Sequence, residues 1–102
     1  MSGAIRIDRV VAEYDVWFDE SIPFAKMKVK ILERNGGDFL AVSNLAVRNL
    51  LSGEPEWIAG MGSSIDEALQ DKLARFFDAV RENTPESGLL DSHFEWSAPE
   101  DF

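Results

Sequence analysis

The stretch from Val10 to Asp19 alternates with period two. Val10, Ala12, Tyr14, Val16 and Phe18 share one face, and Val11, Glu13, Asp15, Trp17 and Asp19 share the other, which predicts a strand with one wet face. Ile5 and Ile7 alternate out of phase with Val10, so a bulge or bend near Asp8 and Arg9 is expected to keep both sets buried. Beyond Pro23, Ala25, Met27, Val29 and Ile31 alternate with Lys26, Lys28 and Lys30, a second strand. A hairpin across residues 19–24 that sets Glu13 opposite Lys30 and Asp15 opposite Lys28 also sets Tyr14 opposite Val29 and Val16 opposite Met27. Charge and apolarity thus choose the same register. Exposed ion pairs add little stability, so these charges specify the pairing more than they hold it.

Arg34, Asn35, Gly36, Gly37 and Asp38 predict a turn, because Asn-Gly and Gly-Gly supply positive φ, and residues 39–43 the returning strand. Residues 44–52 stay open: Leu45, Val47 and Leu50 or Leu51 fit a strand end, an irregular loop or a helical turn. Ser52, Gly53, Glu54 and Pro55 form a second turn, and residues 56–61 a fourth strand. Ser64 then reads as an N-cap, Glu67 completes a capping box, and Asp66 complements the helix dipole. Ile65, Ala68, Leu69, Leu73, Phe76, Phe77 and Val80 form the apolar stripe of a helix, with Asp66, Gln70, Asp71, Lys72, Arg75, Asp78 and Arg81 on the other face. The helix should end near Asn83, ahead of Pro85. The expected fold is α+β in β-β-β-(β)-α order: a curved antiparallel sheet of three to four strands with one long helix packed across one face. Residues 1–83 form the domain and residues 84–102 an acidic, aromatic C-terminal tail.

At 102 residues the chain suits one core. It has no cysteine, which removes disulfides and thiolate chemistry and fits a reducing cytoplasm. No apolar run approaches a membrane span, and the start lacks the features of a secretion signal. Nineteen acidic residues (Asp and Glu) against ten Lys and Arg give a formal charge of −9, which disfavours direct nucleic-acid binding and favours basic partners. After Pro85 the chain carries Glu86, Asp91, Glu95, Glu100 and Asp101 and no lysine or arginine.

Gly60, Met61, Gly62, Ser63, Ser64 and Ile65 invite comparison with a phosphate loop, because helix N-termini offer free amides. Ile65 replaces the third glycine of a dinucleotide fingerprint and no Gly-Lys-Ser/Thr follows, so the glycines read as permitting a tight turn. Asp91, His93 and Glu95 alternate as three ligand-type side chains on one strand face would, yet nothing else converges on them; His93 reads as a surface histidine and no metal or cofactor is expected. With one histidine and no cysteine, the expectation is a protein without enzymatic activity. Phe94, Trp96 and Phe102 stand among acids; such aromatics either fold back onto an open core surface or anchor a partner. The candidate partner-binding residues are therefore Phe94, Glu95, Trp96, Glu100, Asp101 and Phe102.

The run of residues 28–42 with its Arg-Asn-Gly-Gly-Asp turn, followed by the Gly-Met-Gly-Ser-Ser-Ile-Asp-Glu-Ala-Leu segment at 60–69, resembles the core of the HicB-like antitoxin family over residues 26–82. That family runs strand, turn, strand, variable segment, glycine-containing strand end and a helix opening with Thr/Ser-x-x-Glu-Ala. Where it usually carries a Pro-x-Leu-Pro-Gly element, this chain has Leu45, Ala46, Val47, Arg48, Asn49, Leu50, Leu51 and Ser52, and the acidic tail stands where a DNA-binding unit would follow. The resemblance implies a bacterial or phage-encoded regulatory protein of orphan-antitoxin type that binds a basic protein partner or self-associates. Two other readings compete: an inhibitor whose carboxylates imitate nucleic-acid phosphates, which needs a continuous acidic ridge, and a small domain with a structural role. Small-molecule or phosphate binding at residues 60–64 would need an ordered anion at that turn.

Overall fold

A computed structural model describes residues 9–102; the alternation of Ile5 and Ile7 and the bend at Asp8 fall outside them. The fold is α+β, with one long helix on antiparallel sheet. Strands β1 (Arg9–Trp17), β2 (Lys26–Glu33) and β3 (Phe39–Ser43) are followed by β4 (Leu45–Arg48), β5 (Pro55–Glu56) and β6 (Gly60–Gly62). Helix α1 (Ile65–Glu82) and a short strand β7 (Phe94–Trp96) complete the order. Among the described residues, β1, β2, β3 and β6 make a four-stranded sheet in that order, and β5, β4 and β7 a second sheet of three.

The first hairpin has the register its charges specify: Glu13 faces Lys30, Tyr14 faces Val29, Asp15 faces Lys28 and Val16 faces Met27. Lys28 Nζ lies 3.5 Å from Asp15 directly opposite and 3.4 Å from Glu13 on the diagonal, and Lys26 Nζ lies 3.4 Å from Asp15, also on the diagonal. Lys30 points its ammonium elsewhere. The described part of the strand carries a bulge of its own: Val10 faces Leu32 and Ala12 faces Ile31, leaving Val11 as the extra residue. That slip turns Val11 toward the core and moves Val10 to the outer face, reversing their expected sides.

Residues 44–52 resolve into a strand and a tight turn, and Asn44 explains why the pattern was ambiguous. It separates β3, which pairs with β2 and β6, from β4, which pairs with β5 and β7. Its N–H donates to Lys28 O (3.1 Å), its Oδ1 accepts from Lys28 N–H (2.9 Å), and its C=O accepts from Ser97 N–H (2.9 Å). A side-chain amide thus stands in for main chain at the corner where one strand passes from one sheet to the other. The turn that follows is closed by Asn49 Oδ1, which accepts from the N–H groups of Leu51 (2.9 Å) and Ser52 (3.1 Å).

The fourth strand expected at 56–61 is two short strands in different sheets, β5 and β6, with residues 57–59 crossing between them. The helix starts as predicted, with Ser64 Oγ accepting from Glu67 N–H (3.1 Å). The reciprocal arm of the box lands one residue earlier: Glu67 Oε2 accepts from Ser63 N–H (2.8 Å) and Ser63 Oγ (2.5 Å). These two bonds hold the Glu67 carboxyl below its usual range. At the other end Asn83 Oδ1 accepts from Leu50 N–H (2.9 Å), while its Nδ2 donates to Glu56 (2.9 Å) and to Ala79 O (2.8 Å), tying the helix end to the second sheet.

Gly60 and Gly62 do not serve a tight turn, since neither has positive φ. A Cβ at Gly60 would overlap the main chain of Lys72 and Ala68, and one at Gly62 would lie 2.5 Å from Ala68 N; only glycine lets β6 approach the helix this closely. The core lies between the sheets and α1 and contains Met27, Val29, Ile31, Ala41, Leu45, Val47, Phe76 and Phe94. Lys72, expected on the wet face, is 1% exposed. Residues 68, 72 and 76 succeed one another at four-residue spacing, so Lys72 occupies the middle of the buried stripe between Ala68 and Phe76. Its ammonium donates to Ile58 O (2.6 Å) and lies 5.3 Å from the Phe76 ring centroid. Burial pulls its pKa down from 10.5 to about 8.

Candidate partner-binding groove

Strand alternation that buries Val29, Ile31 and Ala41 under the helix turns Lys30, Leu32, Leu40 and Val42 to the opposite face of the four-stranded sheet. Met61 and, through the bulge, Val10 join that face. The polypeptide returns across it after α1. A single-turn 3₁₀ helix (Asp91–His93) leads into β7, which pairs with β4 so that Phe94 faces Val47 and Trp96 faces Leu45. A second such turn (Pro99–Asp101) carries the chain to Phe102.

Between this returning segment and the outer sheet face lies a groove of about 630 Å³. Leu32, Leu40 and Val42 line its sheet wall; Trp57 lines it from the crossing between β5 and β6; Glu95, Trp96, Ser97, Asp101 and Phe102 line the other wall. Val10, Trp57 and Trp96 of this lining are each 42–50% exposed, and Met61 on the same sheet face is 49% exposed; the Trp96 ring also meets that of Phe24 edge-on, with centroids 5.0 Å apart. Among the described residues, Lys30 is the one base in the lining. Its ammonium lies 4.2 Å from the centroid of the Phe102 ring and donates to the Phe102 main-chain oxygen. Ser97 Oγ is buried without a hydrogen-bond partner among the described residues, although Ser97 N–H is bound to Asn44 O.

Four of the six residues proposed from the sequence therefore meet at the groove: Glu95, Trp96, Asp101 and Phe102. Phe94 does not. It is 5% exposed, its ring meets that of Phe24 edge-on with centroids 5.4 Å apart, and it belongs to the core because β7 alternates and sends Phe94 and Glu95 to opposite sides. Glu100 is exposed and lies outside the groove lining. Glu95 is paired with Arg48 at 2.6 Å, which ties the groove wall to β4. Sequence reasoning missed Lys30, Leu32, Leu40, Val42 and Trp57. The available signal was β3 itself, whose consecutive Phe39, Leu40, Ala41 and Val42 are apolar on both faces, as in a strand covered on both sides.

Two other candidate sites dissolve into structure. At the start of α1 the N–H of Glu67 is taken by Ser64, and the carboxylate of Glu67 occupies the N–H of Ser63, so this chain's own groups fill that part of an anion cradle. Asp91 and His93 lie in a 3₁₀ turn and only Glu95 in a strand, so the three do not share a strand face. His93 Nδ1 accepts from Leu90 N–H at 2.8 Å, and among the described residues no group of three His, Cys, Asp or Glu side chains is gathered as a metal site. No helix is long and apolar enough to cross a membrane. No family model, curated protein or solved structure matches the chain.

Proposed function

We propose that this chain is a non-enzymatic module that docks a basic protein through the groove between the outer face of the four-stranded sheet and residues 95–102. The observation that carries this reading is the set of half-exposed Val10, Trp57 and Trp96 lining a groove with Leu32, Leu40 and Val42, bordered by Asp101 and Glu95. Aromatic side chains in such a setting supply large contact area, and acidic neighbours within a −9 chain select and steer a basic partner. The resemblance to the HicB-like core adds a role of antitoxin type as the specific form of this docking.

The phosphate-mimic alternative is less well supported by the charge arrangement. Acids on several elements are interleaved with bases: Glu13 and Asp15 with Lys28, Asp71 with Arg75, Asp78 with Arg81, and Glu95 with Arg48. A mimic needs an unbroken acidic ridge. Placing a photoreactive amino acid at position 57 is the direct test, with position 75 on the exposed face of the helix as control. One basic protein cross-linked from position 57 alone, and lost at raised salt, is the expected outcome. Equal labelling from both positions would refute the groove as the docking surface.

A further inference from the structure

The chain's asparagines stand at positions 35, 44, 49 and 83, and the fold treats one of them differently from the rest. Asn44 Oδ1 accepts from Lys28 N–H, Asn49 Oδ1 accepts from Leu51 and Ser52 N–H, and Asn83 engages both ends of its amide with Leu50, Glu56 and Ala79. Each is followed by a branched side chain: Leu45, Leu50 or Thr84. Asn35 is exposed at the tip of the β2–β3 hairpin, its amide is hydrogen-bonded to no described residue, and Gly36 follows it. The turn is closed by Arg34 N–H to Asp38 O (2.9 Å) and Gly37 N–H to Arg34 O (3.3 Å), which leaves Gly36 N–H outside its hydrogen bonds. Both groups of one Asn-Gly pair are therefore unengaged: a side-chain amide carbon and the main-chain nitrogen one residue on.

We propose that Asn35 is a site of spontaneous deamidation through a cyclic imide, and the one asparagine that the native fold leaves open to it. The Gly36 nitrogen loses its proton to hydroxide and attacks Asn35 Cγ; the N–Cγ bond forms, the Cγ–Nδ2 bond breaks, and Nδ2 leaves as ammonia on taking a proton from water. Water then opens the imide at either carbonyl, giving aspartate or an isoaspartate whose main chain runs through the former side chain. One amide and one water become one carboxylate and one ammonium, with no change of oxidation state. Glycine sets no Cβ beside the attacking nitrogen, and the space around it is open, since a Cβ built at Gly36 would meet nothing within 4 Å. Ring closure depends on how freely the two groups reach each other, which a loop tip permits and the bonds holding Asn44, Asn49 and Asn83 oppose. The product carries one more negative charge, at the end of the hairpin that supplies Leu32 and Leu40 to the groove. Isoaspartate also adds one main-chain carbon between Arg34 and Asp38, so the turn lengthens while the ladder from Glu33 and Phe39 inward keeps its partners. The modification is independent of what the groove binds.

The test is incubation of the full chain in mildly alkaline buffer, followed by trypsin, which releases residues 35–48 with Asn35 and Asn44 in one peptide, and tandem mass spectrometry. Conversion at Asn35 should run at least about tenfold faster than at Asn44, Asn49 or Asn83, a selectivity worth about 1.4 kcal/mol in the barrier. Isoaspartate should outweigh aspartate in the product, and the rate should rise with hydroxide concentration. A parallel incubation in guanidinium chloride separates the fold's contribution from that of the Asn-Gly pair itself. The native chain should convert at Asn35 at no less than about a tenth of the unfolded rate. A lower native rate, or none, would show that the turn holds Asn35 away from the Gly36 nitrogen and overturn the proposal. Equal conversion at any of the other three asparagines would remove the selectivity of the fold, and aspartate without isoaspartate would remove the imide; either result overturns it as well.

Discussion

On its helix side the four-stranded sheet presents Val29, Ile31 and Ala41, each at 0% exposure, under an 18-residue helix; on its outer side the neighbouring residues of the same strands, Lys30, Leu32, Leu40 and Val42, face, among the described residues, a short returning segment and a groove. The difference is one of closure. The helix side is sealed by continuous packing in which even β6 must be glycine where it meets α1, as at Gly60 and Gly62. The outer side has apolar character sufficient for a second covering layer but receives one over only part of its area. A sheet face completed by its own helix stabilises the fold, whereas a face left partly open is available to a partner.

The sharpest way to break this contrast is truncation on either side of it. Phe76→Ala and Phe94→Ala remove rings that are 1% and 5% exposed, and each should destabilise by about 3–5 kcal/mol in chemical denaturation. F102A should lose less than about 1 kcal/mol, because Phe102 sits at the edge of a groove rather than within the core. Equal losses at Phe94 and Phe102 would erase the distinction between the two sides of the returning segment.

Lys72 sharpens the comparison from within the sealed side. Its pKa is lowered from 10.5 to about 8, so between those values the folded state binds fewer protons than the unfolded state, and stability should rise with pH across that window. Below pH 8 the buried ammonium carries its full penalty, about 3 kcal/mol for a shift of this size. Lys72→Met removes that penalty but leaves Ile58 O without its donor, so a net gain of about 1–2 kcal/mol at neutral pH is expected, together with loss of the alkaline rise. Urea titrations between pH 7 and 10.5 measure both. A destabilised variant would show that the hydrogen bond outweighs the burial penalty.

The smallest effect belongs to the exposed charges at the far end of the outer face. Burial raises the Asp15 carboxyl, but Lys26 and Lys28 outweigh it and leave its pKa below 3.8; Glu13 and Asp15 raise Lys28 above 10.5. Lys28→Glu should destabilise slightly and Asp15→Lys restore part of the loss. The coupling should vanish as pH falls through the lowered Asp15 value, and again as it rises through the raised Lys28 value. Strict additivity at neutral pH would reject the pairing.

The first hairpin was legible because two independent patterns, charge and apolarity, selected one register at Glu13, Tyr14, Asp15 and Val16. The helix start was legible because Ser64 and Glu67 act locally. Residues 44–52 were not, since Asn44 changes sheets through bonds to Lys28 and Ser97, partners 16 and 53 positions away in the chain. Lys72 was misassigned by its charge when its angular position already put it between Ala68 and Phe76. The candidate site was half legible: aromatic content marked Trp96 and Phe102, but the opposite wall is built by residues that look like ordinary strand positions until β7 and the following turns fold over them.

The corner at Asn44 also decides how this protein can be taken apart and rebuilt. A cut there would leave β1, β2 and β3 without β6, and β6 and α1 without the sheet they pack on, while β4, β5 and β7 stay together in the second piece. The turn at Asn35, Gly36 and Gly37 is the opposite case: it is exposed, and a Cβ added at either glycine would meet nothing within 4 Å. An inserted epitope or a new pair of termini belongs there, at the end of a hairpin whose pairing survives the opening of its loop.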